Sequence, residues 1–243
     1  MRIVPLKEGS FSTGKTKDFT MLTEENGEHL KRIKMSVTPF LVITEHDVIL
    51  LDAGIGWKNK DGKTVISEIL ENENIHPSQV TKVLLSRLHK DHIETTITRT
   101  ENGFEATFPN AEIYMQKREL AFAMKNRSSH SFNFDTLEKL IQLQNIVRMD
   151  EDQGNITQEN SFEVTGGHTP FMQVFRISTD EETVFYGADN LPQKLYLKYR
   201  LAYKSDFDGR KAMDLRIRWA KAASEHNWKV LLYHDLEKSV MEF

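Results

Sequence analysis

The sequence predicts an α/β protein, one domain over residues 1–243, with two sheets and helices on their outer faces. Three observations carry this reading. Short apolar runs of strand character fill the middle of each half of the chain, and helical patterns interrupt and close them. Strands and helices do not alternate strictly, which argues against a simple parallel sheet. No internal repeat and no Pro/Gly/Ser-rich linker divides the 243 residues, enough chain to bury a sizeable core.

The elements follow in order. "MRIVPLKE" is a thin strand candidate interrupted by Pro5. "GSFSTGKT" (9–16) matches the phosphate-loop pattern letter for letter, a chemistry that requires a buried strand before it and a helix N-terminus after it. Its neighbours are that thin strand and a weak helix candidate over 17–29 broken by Gly27, so a polar turn between strands is the better reading. Residues 38–56, "TPFLVITEHDVILLDAGIG", form two apolar runs around a turn and end in glycines, the pattern of a hairpin. "TVISEILENENI" puts Val65, Ile66, Ile69 and Leu70 on one helical face. "VTKVLLS" is a short buried strand and "NAEIYMQ" another; "KRELAFAMKN" and "FDTLEKLIQL" are helices. "IVRM", "SFEVTG", "MQVFRIS" and "TVFYGAD" are further strands, a long amphipathic helix covers 209–226, and "KVLLYHD" is a last strand.

Composition excludes several classes. Zero cysteines remove disulfides, thiolate ligands and a cysteine nucleophile, so any metal must be held by imidazole and carboxylate. A net charge of -4 gives no electrostatic case for nucleic acid or an anionic membrane. No apolar run reaches the length of a membrane span, and "MRIVPLKEGS" has no signal-peptide core, so a cytoplasmic location is expected. Absence of cysteine fits an oxidising compartment equally.

One short stretch concentrates the chemistry. "SRLHKDH" (86–92) follows an apolar run and packs His89, Asp91 and His92 into four residues. A strand ending in a tight loop can aim such neighbours at one point, and imidazole with carboxylate suits zinc, manganese or iron. Alone, it reads equally well as a solvated histidine-rich turn. Three other strand ends change that balance: His168 in "TGGHTP", Asp189 in "FYGADN" and His234 in "LLYHDLE". Four strand ends with ligand chemistry point to one shared centre.

The order "ILLDAGIG", "LHKDH", "FPNAEIYMQKREL", "GGHTPFMQ", "FYGADN" and "LLYHD" resembles the metallo-β-lactamase superfamily, and within it the lactonase-like branch that includes N-acyl-homoserine-lactone hydrolases. The resemblance spans nearly the whole chain and implies a four-layer αβ/βα sandwich. It implies a first metal site at the positions of Arg87, His89 and His168, a second site of Asp91, His92 and His234, and Asp189 bridging the two. Asp52 would stand behind the ligands and orient them.

The departures from the family pattern set the expectations. Arg87 stands where a histidine ligand belongs, and a guanidinium has five donors, no acceptor and no accessible deprotonation. One ion, zinc with manganese or iron as alternatives, is therefore expected rather than two. Arg87 either pairs with Asp189 or Asp91 as a stand-in cation or swings to solvent. Glu94, Thr95, Thr96, Phe171 and Met172 replace smaller family residues and are expected to narrow the pocket mouth. The tyrosine that some lactonases carry after the bridging aspartate is replaced in "DNLP". Tyr203, Phe207 and Asp208 are candidates to line the pocket, with helix capping the other role for Asp208. His130 is a loop candidate to replace the lost ligand; His29, His46, His76 and His226 lie in polar or turn-like surroundings.

The resemblance thus implies a metal-dependent hydrolase of an ester-like bond, a lactone among the options, with Asp91, Asp189 and Arg87 as catalytic groups. The alternative is an impaired relative that binds a small ligand or a partner. A small-molecule substrate is expected, with no nucleic acid or membrane partner and a homodimer left open.

Overall fold

A computed structural model of the chain describes residues 1–24 and 32–243. The chain opens with β1 (Arg2–Pro5) and a small antiparallel sheet of β2 (Gly9–Thr13), β3 (Phe19–Met21) and β4 (Ile33–Val37), in the order β3-β2-β4. The phosphate-loop look-alike is thus mostly strand, and β3 occupies the start of the weak helix candidate. No helix begins in the described residues 17–24, directly after "GSFSTGKT". The remainder of that candidate, with Gly27 and His29, lies outside them.

The hairpin of β5 (Phe40–Ile43) and β6 (Val48–Leu51) forms where the two apolar runs predict it. Helix α1 (Val65–Asn72) starts at Thr64, whose side chain accepts from the Ser67 backbone N–H. Then come β7 (Lys82–Leu84), the single-turn α2 (Lys90–Ile93), the hairpin β8 (Ile97–Thr100) and β9 (Gly103–Ala106), β10 (Glu112–Gln116), α3 (Lys117–Lys125), α4 (Phe134–Leu140) and β11 (Ile146–Met149). Strands β1-β5-β6-β7-β10-β11 form one six-stranded sheet, parallel from β6 to β11.

The second half adds β12 (Gln153–Asn155), β13 (Asn160–Val164), β14 (Gln173–Ser178), β15 (Thr183–Tyr186), the short α5 (Leu195–Lys198), α6 (Gly209–His226), β16 (Lys229–Leu231) and β17 (Val240–Glu242). These strands form a second six-stranded sheet in chain order, with β15 and β16 parallel. Asp208 caps α6 by accepting from the Lys211 N–H, so capping is its role.

Strand periodicity fixes the layers. Phe40, Val42, Ile49, Leu51 and Leu84 point into the core between the sheets, while Leu41, Leu50 and Val83 point the other way, toward Ile66, Leu70, Ala123, Leu137 and Leu140 on the outer helices. Phe40 meets Tyr186 across the sheets at 6.1 Å between ring centroids. Trp219 of α6 packs on Phe185 at 4.9 Å, which places α6 on the far side of the second sheet. The layers run helix, sheet, sheet, helix. The carboxyl ends of β6, β7, β15 and β16 meet at one edge, where Asp52, the 86–92 segment, Asp189 and His234 emerge.

Candidate metal centre

The 86–92 segment leaves β7 and closes into α2, with His89 at its N-cap position. The turn is held from outside: the Ala53 N–H donates to the His92 carbonyl at 2.7 Å, and the Lys90 N–H donates to the Ser131 carbonyl at 2.9 Å. Behind it lies Asp52, fully buried and in the left-handed region at φ 56. Its carboxylate accepts from the Ser86 N–H at 2.7 Å, the Ser86 hydroxyl at 2.7 Å, the Tyr186 hydroxyl at 2.5 Å and His92 Nδ1 at 2.6 Å. Asp52 therefore fixes the ring orientation of His92 and leaves Nε2 to face the site. Tyr233 stacks on the His92 ring at 4.2 Å and donates its hydroxyl to the Asp91 carbonyl at 2.7 Å.

His234 is set in the same manner. Its Nδ1 lies 2.7 Å from the Ser36 carbonyl, which can only accept, so in the neutral ring the proton is on Nδ1 and the Nε2 lone pair points inward. The Gly-Gly turn before His168 has φ +61 and +103, and a Cβ on Gly167 would lie 2.4 Å from Asn190 Oδ1. That same Oδ1 accepts the His168 N–H at 2.8 Å, so the glycine lets Asn190 hold the loop. His168 Nδ1 pairs with Asp206 Oδ1 at 2.8 Å. Nothing in the sequence separates Asp206 from Asp208 two residues on; only the folded loop tells them apart.

Four donor atoms converge. His234 Nε2 is 3.2 Å from Asp189 Oδ1 and 3.5 Å from Asp91 Oδ2, and His92 Nε2 is 3.5 Å from both carboxylates. Asp91, His92 and His234 are all buried and form a metal-competent group among the described residues. Asp189 Oδ1 is buried with no hydrogen-bond donor among the described residues. Lone-pair atoms facing one another with no proton between them call for a cation. A tetrahedral zinc site with bonds of about 2.0–2.1 Å has edges of about 3.3–3.4 Å, close to the spacings of the two imidazoles from each carboxylate, although Asp189 stands outside the compact group of Asp91, His92 and His234. The donor set therefore fits one divalent ion.

The first-site positions are arranged differently. Arg87 is 2% exposed and turned inward, so it does not swing to solvent. Its Nη1 lies 2.6 Å from Asp189 Oδ2, its Nη2 3.5 Å from Asp91 Oδ1, and its Nη2 2.7 Å from His92 Nε2. The Nη1 contact is an ion pair without hydrogen-bond alignment, and Nε has no acceptor among the described residues. His89 and His168 stand at 5.4 Å between ring centroids, and His168 Nε2 is 3.6 Å from the Asp189 oxygen that Arg87 engages. The guanidinium thus supplies positive charge beside the Asp189 carboxylate.

Protonation follows from this charge. Burial pushes Asp189 up, but Arg87, then His234 and His92, together more than reverse the push and hold it well below the carboxylate range. Burial, then Arg87 and His168, keep His89 well below the ordinary imidazole range, and burial with Arg87 lowers His168. At His92, burial and Arg87 oppose a second proton while Asp91, Asp52 and Asp189 favour it, a balance at about 9. Geometry decides against that proton. On Nε2 it would set two N–H groups head to head at 2.7 Å, so the contact requires the neutral, Nδ1-protonated ring.

The cleft over the centre has a cavity volume of about 150 Å³. Apolar contacts come from Phe19, Ile33, Met35 and Tyr196, and Asp206 lies on its wall. The residues expected to narrow the mouth are elsewhere. Glu94 accepts from Asn133 and Thr136, Thr95 and Thr96 bond to backbone carbonyls, Phe171 lies under Arg118, and Met172 is core. Tyr203 stacks on Tyr196 at 4.5 Å without lining the cleft, and Phe207 is 68% exposed. His130 is exposed and replaces no ligand; His76 caps a short turn.

The sequence matches no protein-family model, and a search of curated proteins gives no match. Solved structures do match. A probable metal-dependent hydrolase from Staphylococcus aureus aligns at 17% identity and TM-score 0.78, over 99% of this chain and 91% of that one. The hydrolase AbOPH of the β-lactamase superfamily aligns at 21% identity and TM-score 0.74, over 99% and 89%. AidC, a dizinc quorum-quenching lactonase solved with a product, aligns at 20% identity and TM-score 0.71, over 98% and 88%. At such identities the likeness is one of fold. These structural neighbours are members of the metallo-β-lactamase superfamily, and the chain carries the αβ/βα fold of that superfamily.

Proposed function

We propose that this protein is a hydrolase that opens an ester-like bond in a small molecule, a lactone among the candidates, with one divalent ion held by Asp91, His92, Asp189 and His234. Zinc is the ion proposed, with manganese and iron as alternatives. The observation that carries the reading is the buried group of Asp91, His92 and His234, with Asp189 Oδ1, unpaired among the described residues, 3.2 Å and 3.5 Å from the two imidazole nitrogens. An ion there would supply Lewis acidity and an acidified water.

The chain's own groups account for the rest. Asp52 and the Ser36 carbonyl hold the two imidazoles in the tautomer that presents Nε2. Asp91 and Asp189 are acceptors beside the reaction space, suited to move a proton to the leaving oxygen. Arg87 has a fixed charge, lines the cleft and retains unmet donors, so it serves as the electrostatic partner of the negative charge that collects on a carbonyl oxygen. The small cavity favours a compact substrate. Elemental analysis should find about one ion per chain, and a panel of lactones and simple esters should yield acid release. Metal-loaded protein silent on the whole panel would count against the hydrolase.

A second reading is favoured by one contact: Arg87 Nη2 already bonds His92 Nε2. If that bond persists, the chain is a ligand-binding relative without turnover, and elemental analysis would find no stoichiometric ion.

A further inference from the structure

We propose that Arg87 is an exchangeable occupant of the metal centre: its guanidinium and a divalent ion compete for His92 Nε2, so loading one ion moves Arg87 off that nitrogen. This deepens the one-ion reading above and rests on it. Imidazole nitrogen carries a single in-plane lone pair. Nδ1 of His92 is committed to Asp52 at 2.6 Å, which leaves Nε2 as the ring's one ligand atom. Arg87 Nη2 takes that lone pair at 2.7 Å. A hydrogen bond and a metal bond cannot share it.

The rest of the side chain is built to tolerate the exchange. Nη1 remains beside Asp189 Oδ2, while the oxygen that faces the ligand cage, Oδ1, is free of donors. Nε and Nη1 lack aligned acceptors, so the one hydrogen bond the guanidinium forfeits on turning is that to His92, together with the looser 3.5 Å approach of Nη2 to Asp91. In the metal-free protein the arginine partly balances the two buried carboxylates, so the centre stays assembled without an ion. The exchange also caps loading at one ion, because Arg87 remains bound to the oxygen a second ion would need.

The test uses the full chain, stripped with chelator and titrated with zinc against a competing indicator. Wild type should bind one ion, and Arg87→Met should bind zinc roughly 10- to 100-fold more tightly, the worth of one charge-assisted hydrogen bond. Its metal-free form should melt at lower temperature than wild type. Equal or weaker zinc binding by Arg87→Met would overturn the competition while leaving the one-ion reading intact. Binding by neither protein would overturn both. Should Arg87→Met fail to fold, nitrogen-15 spectra of wild type decide: zinc should shift His92 Nε2 and the Arg87 side-chain N–H signals together while Nδ1–H persists. Arg87 signals unmoved in zinc-saturated protein would refute the exchange.

Discussion

Arg87→His tests the most informative position in the chain. The substitution removes the guanidinium from Asp189 Oδ2 and completes a three-imidazole set with His89 and His168. His168 is already oriented for it, since Nδ1 is held by Asp206 and Nε2 lies 3.6 Å from Asp189. Two opposing magnitudes follow. Without metal, Asp189 and Asp91 lose their buried partner, and breaking such a pair costs about 3–5 kcal/mol. For a chain of this size each kcal/mol is worth about 2–4 °C, so the metal-free variant should melt about 6–20 °C below wild type. With metal, free zinc at 100 times its dissociation constant returns about 2.7 kcal/mol per ion. Calorimetry in chelator and in zinc, with elemental analysis of the same samples, reads both quantities. The count should rise from about one ion per chain toward two, and zinc should raise the variant's melting temperature more than wild type's. Two ions in wild type, or an unchanged count and melting temperature in the variant, would refute the assignment of Arg87 as the internal cation.

Other outcomes follow from neighbouring groups. Asp52→Asn replaces an all-acceptor carboxylate that takes four donors, so it misorients His92; zinc affinity by chelator competition should fall roughly 10- to 100-fold. Gly167→Ala forces a side chain into Asn190 at a left-handed φ and should cost at least about 2 kcal/mol in denaturant unfolding. Glu119 gives a pH dependence. Burial raises its carboxyl from 4.5 to about 7, against the Thr169 side chain, the Phe171 N–H and Arg87. The unfolded chain releases this proton first, so stability should decline by roughly 3 kcal/mol as pH rises from about 4.5 through about 7, and Glu119→Gln should flatten that slope. A slope unchanged in Glu119→Gln would show that another group titrates there.

The ligand types and their strand-end positions were legible because each follows an apolar run whose length and β-branched content announce a strand. Phe40, Leu41 and Val42 form an unbroken apolar run, and the folded layers bury it on both faces, Phe40 and Val42 toward the other sheet and Leu41 toward the outer helices. Strands β4, β8, β9, β12 and β17 were not legible. They are short, carry polar or exposed residues, and gain their hydrogen bonds from partners rather than from a pattern of their own. The mouth residues were misplaced for a related reason: adjacency to a motif in sequence does not fix direction, and Met172 turns into the core while Phe19, from a distant strand, reaches the cleft.

By itself the sequence determined the chemical inventory: imidazole and carboxylate without thiolate, four strand ends that bear them, and one arginine where a ligand belongs. The fold then decided what that arginine does. Its alternatives, solvent or an internal ion pair, differ only in whether Asp189, Asp91 and His92 lie within reach, and Asp189 comes from the other sheet. The acceptors that orient the imidazoles, Asp52 for His92 and the Ser36 carbonyl for His234, likewise arrive from separate strands. Hydrogen bonds and charge pairs fall off over a few ångströms, so distances that only packing of the two sheets can set determine which lone pair is free.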